Sequence, residues 1–266
     1  MSSSRSFLYP VLFLSLFLTA CTSSPMARRQ VVLYSEADMA QQGIQAYQQM
    51  REQMPISENI RQTDYARCVT NYVVSALDEN QRGDYLWEVT VFENEQANAF
   101  ALPGGKMGIY TGLLNIATNQ HQLAAVMAHE VGHVLAHHSN ERASQSALRN
   151  IGRAVAQIAG VSSTTMEIID YGTELGLFLP FNRRQESEAD QIGIMLMAKA
   201  GFDPQESITL WQNMAANGGA RRPELLSTHP APSTRMADLN SLLPAAEAVW
   251  VSARARGVVP DCQPPS

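Results

Sequence analysis

Five of the six histidines in this 266-residue chain fall within eighteen positions, at His121, His129, His133, His137 and His138. The informative unit is His129-Glu130-Val131-Gly132-His133. Residues four apart stack on one helical face, so the imidazoles of His129 and His133 can reach a single ion. Glu130 lies beside them, near enough to act on a bound water without being a ligand itself. Two nitrogen ligands plus a general base is the donor arrangement of zinc hydrolysis. The competing reading, a structural helix with two solvated histidines, fits poorly. Ala124, Val126, Met127, Val131 and Val134 make this helix apolar on both sides, and buried helices avoid unpaired polar side chains.

A catalytic zinc ion takes three protein ligands and keeps one position open. Candidates for the third cluster in Gln185-Glu186-Ser187-Glu188-Ala189-Asp190. Glu186 and Asp190 share a helical face, whereas Glu188 points to the opposite side. Ligating histidines usually donate their outer N–H to a carboxylate. Glu186 is therefore the expected ligand and Asp190 the expected acceptor behind a histidine. Without the histidine pair, the same acids would read as a solvated face.

The elements that must position these groups are mostly helical. Ser35 to Ala76 reads as helix with a break at Pro55, and Leu77 to Asp84 supplies turn residues. Trp87–Phe92, Ala97–Leu102 and Met107–Tyr110 read as strands, the last two joined through Pro103-Gly104-Gly105. A long helix is expected from Gln120 to Glu141, capped by Thr118 or Asn119. Further helices are expected over Ala143–Ala159, Met166–Leu177 and Gln185–Ala200, then one opening at Asp203-Pro204, and a last over Ser233–Leu242. The class is α+β, mostly helical, with one small sheet.

Composition bounds the rest. At 45% hydrophobic residues the chain is globular, and a formal charge of −6 argues against a nucleic-acid partner. Three cysteines are too few for a disulfide scaffold. Arg5 followed by the apolar run Phe7 to Leu18 reads as a secretory signal. The run ends in Leu18-Thr19-Ala20-Cys21, similar to a bacterial lipobox in which Cys21 is lipidated; an ordinary signal peptide with an incidental cysteine is the alternative. Expected boundaries are a lipoprotein signal peptide at 1–20, a lipidated N-terminus and tether at 21–34, one catalytic domain at 35–250 and a C-terminal tail at 251–266. In an oxidising compartment Cys68 and Cys262 can pair or remain separate thiols.

The ordered motifs resemble the HtpX/CAAX-prenyl-protease superfamily of zinc metallopeptidases. His129-Glu130-Val131-Gly132-His133 is followed by Glu186-Ser187-Glu188-Ala189-Asp190. It is preceded by Asn98-Ala99-Phe100-Ala101-Leu102-Pro103-Gly104-Gly105 and Gly112-Leu113-Leu114. Thr228-His229-Pro230, with Arg235 shortly after, is similar to a motif of the periplasmic lipoprotein branch. The resemblance covers roughly Trp87 to Leu242. It implies a zincin-like (gluzincin) domain with its small sheet beside the active-site helix, holding one zinc ion. It also implies that His229 lies near the ion, either as a regulatory fourth ligand or as a donor to the developing oxyanion.

On this reading His129, His133 and Glu186 hold zinc, Glu130 is the base, and Asn98, Ala99, Phe100 and Ala101 form an edge strand for an extended substrate. Leu177 to Arg184 reads as a cover over the cleft or as a plain interhelical loop. The resemblance implies polypeptide substrates, in particular misfolded or misassembled envelope proteins, with membrane attachment by lipid alone. Thr22 after the cysteine fits an outer-membrane location facing the periplasm. Two alternatives stand: a zinc-stabilised chaperone or assembly factor with a mostly latent site, and a thermolysin-like secreted exopeptidase.

Overall fold

The computed structural model describes residues 21–158, 179–216, 225, 229 and 234–265, and structural statements below concern these residues. The expected signal peptide and the expected helix over Met166–Leu177 lie outside them. The chain begins with a short antiparallel hairpin, β1 (Cys21–Ser23) and β2 (Arg29–Val31). Helices α1 (Glu36–Gln53) and α2 (Ile60–Ser75) follow, separated around Pro55 as expected, and then a single capped turn, α3 (Glu79–Arg82). Strands β3 (Glu88–Phe92), β4 (Ala99–Leu102) and β5 (Lys106–Tyr110) form a three-stranded sheet in the order β3-β5-β4. β3 is parallel to β5 and β4 antiparallel to it, so β4 lies at one edge of the sheet.

After a short turn α4 (Thr111–Leu114) comes the central helix α5 (Gln120–Leu135). Asn119 is its cap: the side-chain oxygen accepts from the N–H groups of His121 and Gln122. The chain continues through α6 (His138–Ile158), α7 (Leu179–Lys199), α8 (Gln205–Ala216) and α9 (Arg235–Ala255). α5 packs most extensively against α7, and is also flanked by β4, α2 and α8. Leu123, Met127, Val131, Met197, Leu210 and Met214 join one buried apolar cluster around it. Contact between α5 and α7 is made backbone to backbone. A Cβ on Gly132 would stand 2.9 Å from the Ala189 carbonyl oxygen, and one on Gly193 would stand 2.9 Å from the His129 nitrogen.

Four expectations are corrected. The long helix does not run to Glu141; it stops at Leu135, and His137 takes a left-handed backbone conformation at φ 55° before α6 begins. Pairing of His137 Nδ1 with Glu36 at 2.8 Å accompanies that turn. Residues 21–34 are not a loose tether: β1 pairs with β2, and Ser24 and Arg28 bond Glu188 of α7. The last helix extends well past Leu242, through Pro244 to Ala255, and the following tail folds back onto α5. There Cys262 N–H donates to Gln120 Oε1 at 2.8 Å, Gln120 donates to the Pro260 carbonyl, and Cys262 is disulfide-bonded to Cys68 of α2. Finally, α7 starts at Leu179, so Leu179–Arg184 are its first turns and not a loop cover; Leu177 and Phe178 lie outside the described residues. Among the described residues no helix is long and apolar enough to cross a membrane.

Candidate metal centre

Spacing by four on α5 places His129 and His133 one above the other, with Nε2 atoms 3.1 Å apart. The face-to-face crossing with α7 brings Glu186 to them, at 3.2 Å from His129 Nε2 and 3.4 Å from His133 Nε2. A fourth group arrives from the far side of the sequence. Leu225 N–H donates to the Ala97 carbonyl and His229 N–H to the Leu225 carbonyl. This anchor at the start of the edge strand sets His229 Nδ1 3.1 Å from Glu186 and 3.4 Å from His129 Nε2. One donor atom from each of the four residues lies within 4.8 Å of the others. Thr228 and Pro230 of the same motif lie outside the described residues.

Asp190, one turn beyond Glu186, stands with Oδ1 2.9 Å from His129 Nδ1, though poorly aligned for a hydrogen bond. Arg235, the first residue of α9, donates from Nε to Asp190 at 2.6 Å and from Nη2 to Glu186 at 2.9 Å. Its guanidinium lies 4.0 Å from the Trp211 ring centroid, and that ring packs edge-on against His129. Trp211 has no sequence signal; only α8 closing on α5 places it here.

Glu130 is buried beside the cluster. Its Oε1 has no hydrogen-bond partner among the described residues and lies 3.5 Å from His229 Nε2. Burial raises its pKa above the usual carboxylate range, against smaller opposing effects from His229, His129 and the Ala101 amide. Burial also drives the His133 pKa well below its ordinary value. For His129 burial acts in the same direction but is outweighed by Asp190 and Glu186, which raise it to about 10. Burial opposes ionisation of Glu186, yet bonds to His129, His133 and His229 hold its pKa far below normal.

Three imidazole nitrogens and a carboxylate facing one point suit a first-row divalent metal. The sequence-derived residues His129, Glu130, His133, Glu186, Asp190 and His229 are thus brought together. Of the edge-strand candidates, Ala101 touches Glu130 through its amide, while Asn98 accepts from the Ala99 N–H and covers the strand's start. Cys21 lies in β1, remote in sequence from every site residue.

Comparison with known proteins decides the family. Residues 60–243 match the family described as peptidase family M48. The chain belongs to peptidase family M48. This bears out the resemblance drawn from the motifs. Over 74% of its length this M48 chain is 34% identical to the mitochondrial metalloendopeptidase OMA1 of Saccharomyces cerevisiae, covering 59% of that protein. Over 74% of its length it is also 32% identical to the beta-barrel assembly-enhancing protease of Escherichia coli strain K12, covering 42%. Human metalloendopeptidase OMA1 matches at 34% identity over 60% of the chain and 33% of its own length. The M48 chain therefore spans between a third and three-fifths of these relatives.

Proposed function

We propose that the chain is a zinc-dependent endopeptidase of the bacterial envelope, held at the outer membrane facing the periplasm by a lipid on Cys21. The observation that carries the catalytic reading is the convergence of His129, His133, Glu186 and His229 beside a buried Glu130. Zinc bonds of about 2.0–2.2 Å in a tetrahedron put neighbouring donor atoms about 3.3–3.6 Å apart. Five of the distances between these donors run from 3.1 to 3.4 Å, and one donor atom from each of the four residues lies within 4.8 Å of the others. Residues His129, His133 and Glu186 would hold the ion, with Asp190 and Arg235 orienting His129 and Glu186 from behind.

When bound, zinc supplies Lewis acidity toward water and the scissile carbonyl. Glu130 supplies the proton chemistry: its Oε1, without a hydrogen-bond partner among the described residues, accepts a proton from the attacking water and its raised pKa helps it pass that proton to the leaving amine. The β4 edge, Asn98 to Ala101, holds the substrate main chain extended, giving affinity with little side-chain preference. Zinc content and casein cleavage, measured for wild type and Glu130→Gln, test this reading. The variant should retain zinc and lose cleavage by at least about 100-fold. Cleavage by Glu130→Gln at the wild-type rate refutes the mechanism.

Misfolded or misassembled envelope proteins are the proposed substrates, a reading supported by the export and lipidation signals at 1–21 and by the name of the Escherichia coli relative. Radiolabelled palmitate incorporation that disappears in Cys21→Ala would test the anchor. One observation favours a second reading, an assembly factor with a mostly latent protease site. His229 Nδ1 sits within ligand distance of the same donors, and a fourth protein ligand takes the position of the nucleophile. Under that reading His229→Ala raises the rate of casein cleavage; under the oxyanion reading it lowers it.

A further inference from the structure

His138 is fully buried against the rear of the cluster, and the mechanism above does not use it. Its Nδ1 lies 2.8 Å from His133 Nδ1, and its Nε2 lies 3.2 Å from Glu188 Oε2. Glu188 also accepts from Arg28 Nε at 2.7 Å and from the Ser24 hydroxyl. Arg28 donates its two terminal nitrogens to Glu141, both at 2.7 Å, and Gln185 donates to Glu141 at 2.9 Å. A continuous line therefore runs from the N-terminal hairpin through Glu188 and His138 to His133, one of the proposed ligands.

The line has one self-consistent proton arrangement. A neutral imidazole carries one donor and one acceptor nitrogen. With its Nε2 turned to the cluster as an acceptor, His133 must carry its proton on Nδ1 and donate it to His138 Nδ1. His138 then carries its own proton on Nε2 and donates it to Glu188. In the reverse arrangement the bare Nε2 of His138 would face a carboxylate, acceptor against acceptor, and the Nε2 proton of His133 would block the cluster. The carboxylate thus dictates both tautomers. His129 differs, since its Nδ1 faces Asp190 with no imidazole between.

We propose that His138 is a positioning residue that transmits the Glu188 carboxylate to His133 and keeps His133 Nε2 available to a metal ion. Arg28 and Ser24 of the hairpin hold Glu188 for this task, so residues at the N-terminal end of the fold contribute to metal affinity. The inference rests on the metal-site reading above. Its test is the zinc affinity of the full chain, measured by chelator competition, alongside thermal unfolding of the metal-free protein.

Outer partners of metal ligands typically tune affinity by about 10–100-fold. His138→Phe, which keeps a ring in the space, should weaken zinc binding by that factor. Arg28→Met, whose side chain reaches the surface, should weaken it by a smaller factor of about three to ten. A purely structural role would lower the unfolding temperature of the metal-free protein and leave the zinc Kd of the folded protein unchanged. His138→Phe that folds and binds zinc within twofold of wild type overturns the proposal. If His138→Phe does not fold, Arg28→Met decides on the same criterion. Failure of the wild-type chain to bind zinc refutes the metal site itself, and is seen before any variant is compared.

Discussion

Replacing Arg235 by Met tests whether the carboxylates of α7 depend on one buried cation. The arginine is 2% exposed, donates to both Glu186 and Asp190, and stacks on Trp211. Met keeps much of the stem and its contact with the indole but removes the charge and both donors. Removing one member of a buried ion pair costs about 3–5 kcal/mol, because the remaining charge stays in a low-dielectric site. Each carboxylate here retains a histidine: Asp190 lies 2.9 Å from His129, and Glu186 lies 3.1 Å from His229. Those contacts bring the expected loss to the lower end, about 3 kcal/mol in metal-free protein. For a chain of this size that is a fall in Tm of about 6–12 °C. Calorimetry in EDTA measures it directly. Added zinc should shrink the deficit, since an ion on Glu186 replaces part of the missing positive charge. Arg235→Lys should fall between, keeping the charge but not the two-pronged donation. If Arg235→Met in EDTA unfolds within 2 °C of wild type (under about 1 kcal/mol), the carboxylates do not depend on Arg235 and the reasoning fails.

Other perturbations follow from the packing and the charges. Gly132→Ala should separate α5 from α7, costing about 1–3 kcal/mol by overpacking and weakening zinc binding; an unchanged Tm and zinc Kd would count against the close crossing. Cys68→Ser releases a cross-link between residues 194 apart in sequence, worth at most about 5 kcal/mol by chain entropy; an unchanged urea midpoint would refute a stabilising role. The Glu36–His137 pair predicts a pH signature. Its mutual bond raises the His137 pKa and lowers that of Glu36, burial opposing both. The His137 contribution is complete below its unfolded pKa, about 6.5, and is lost as pH rises through the folded value; the Glu36 contribution is present above about 4.5 and is lost on acidification. The stability difference between wild type and His137→Asn, followed by Tm, should therefore peak near pH 4.5–6.5, at under about 1 kcal/mol for so exposed a pair. A difference that grows above pH 8 would contradict the assignment.

How much of this was legible depended on whether the signal was local. The His129–His133 pair and the Glu186–Asp190 pair are each spaced by four, so helical geometry alone sets them on one face, and the structure brings the two faces together. The three strands were readable from β-branched runs and the Pro103-Gly104-Gly105 turn. The break at His137 was not, because neither Gly nor Pro marks it and the left-handed backbone is held by a residue from α1. Arg28 looked like part of a polar tether, since its two carboxylate partners lie more than a hundred residues away in sequence. Glu188 could have been found: an acid on the opposite helical face from two site residues needs a partner of its own, and His138 follows the metal pentad by five residues.

The three acids of α7 also explain why the two ends of the fold close on this one helix. Acids at 186 and 190 project about 40° apart around the axis, whereas 188 projects about 160° away from either, on the far face. Burying both faces requires a cation for each, and no residue of α7 from Gln185 to Lys199 except its last is basic. Arg28 from the N-terminal hairpin serves the 188 side, bridging Glu188 and Glu141. Arg235 from the last helix serves the other, bridging Glu186 and Asp190. The metal side still holds three formal negative charges, on Glu130, Glu186 and Asp190, against one arginine. In the metal-free state part of the balance is met by a proton on His129, whose pKa Asp190 and Glu186 raise to about 10, while burial pushes that of Glu130 upward. A divalent cation would displace the His129 proton and free that ring to ligate. The same exchange makes metal loading release protons, so zinc titration in two buffers of different ionisation enthalpy should report proton release on binding, and release of none would contradict this charge balance.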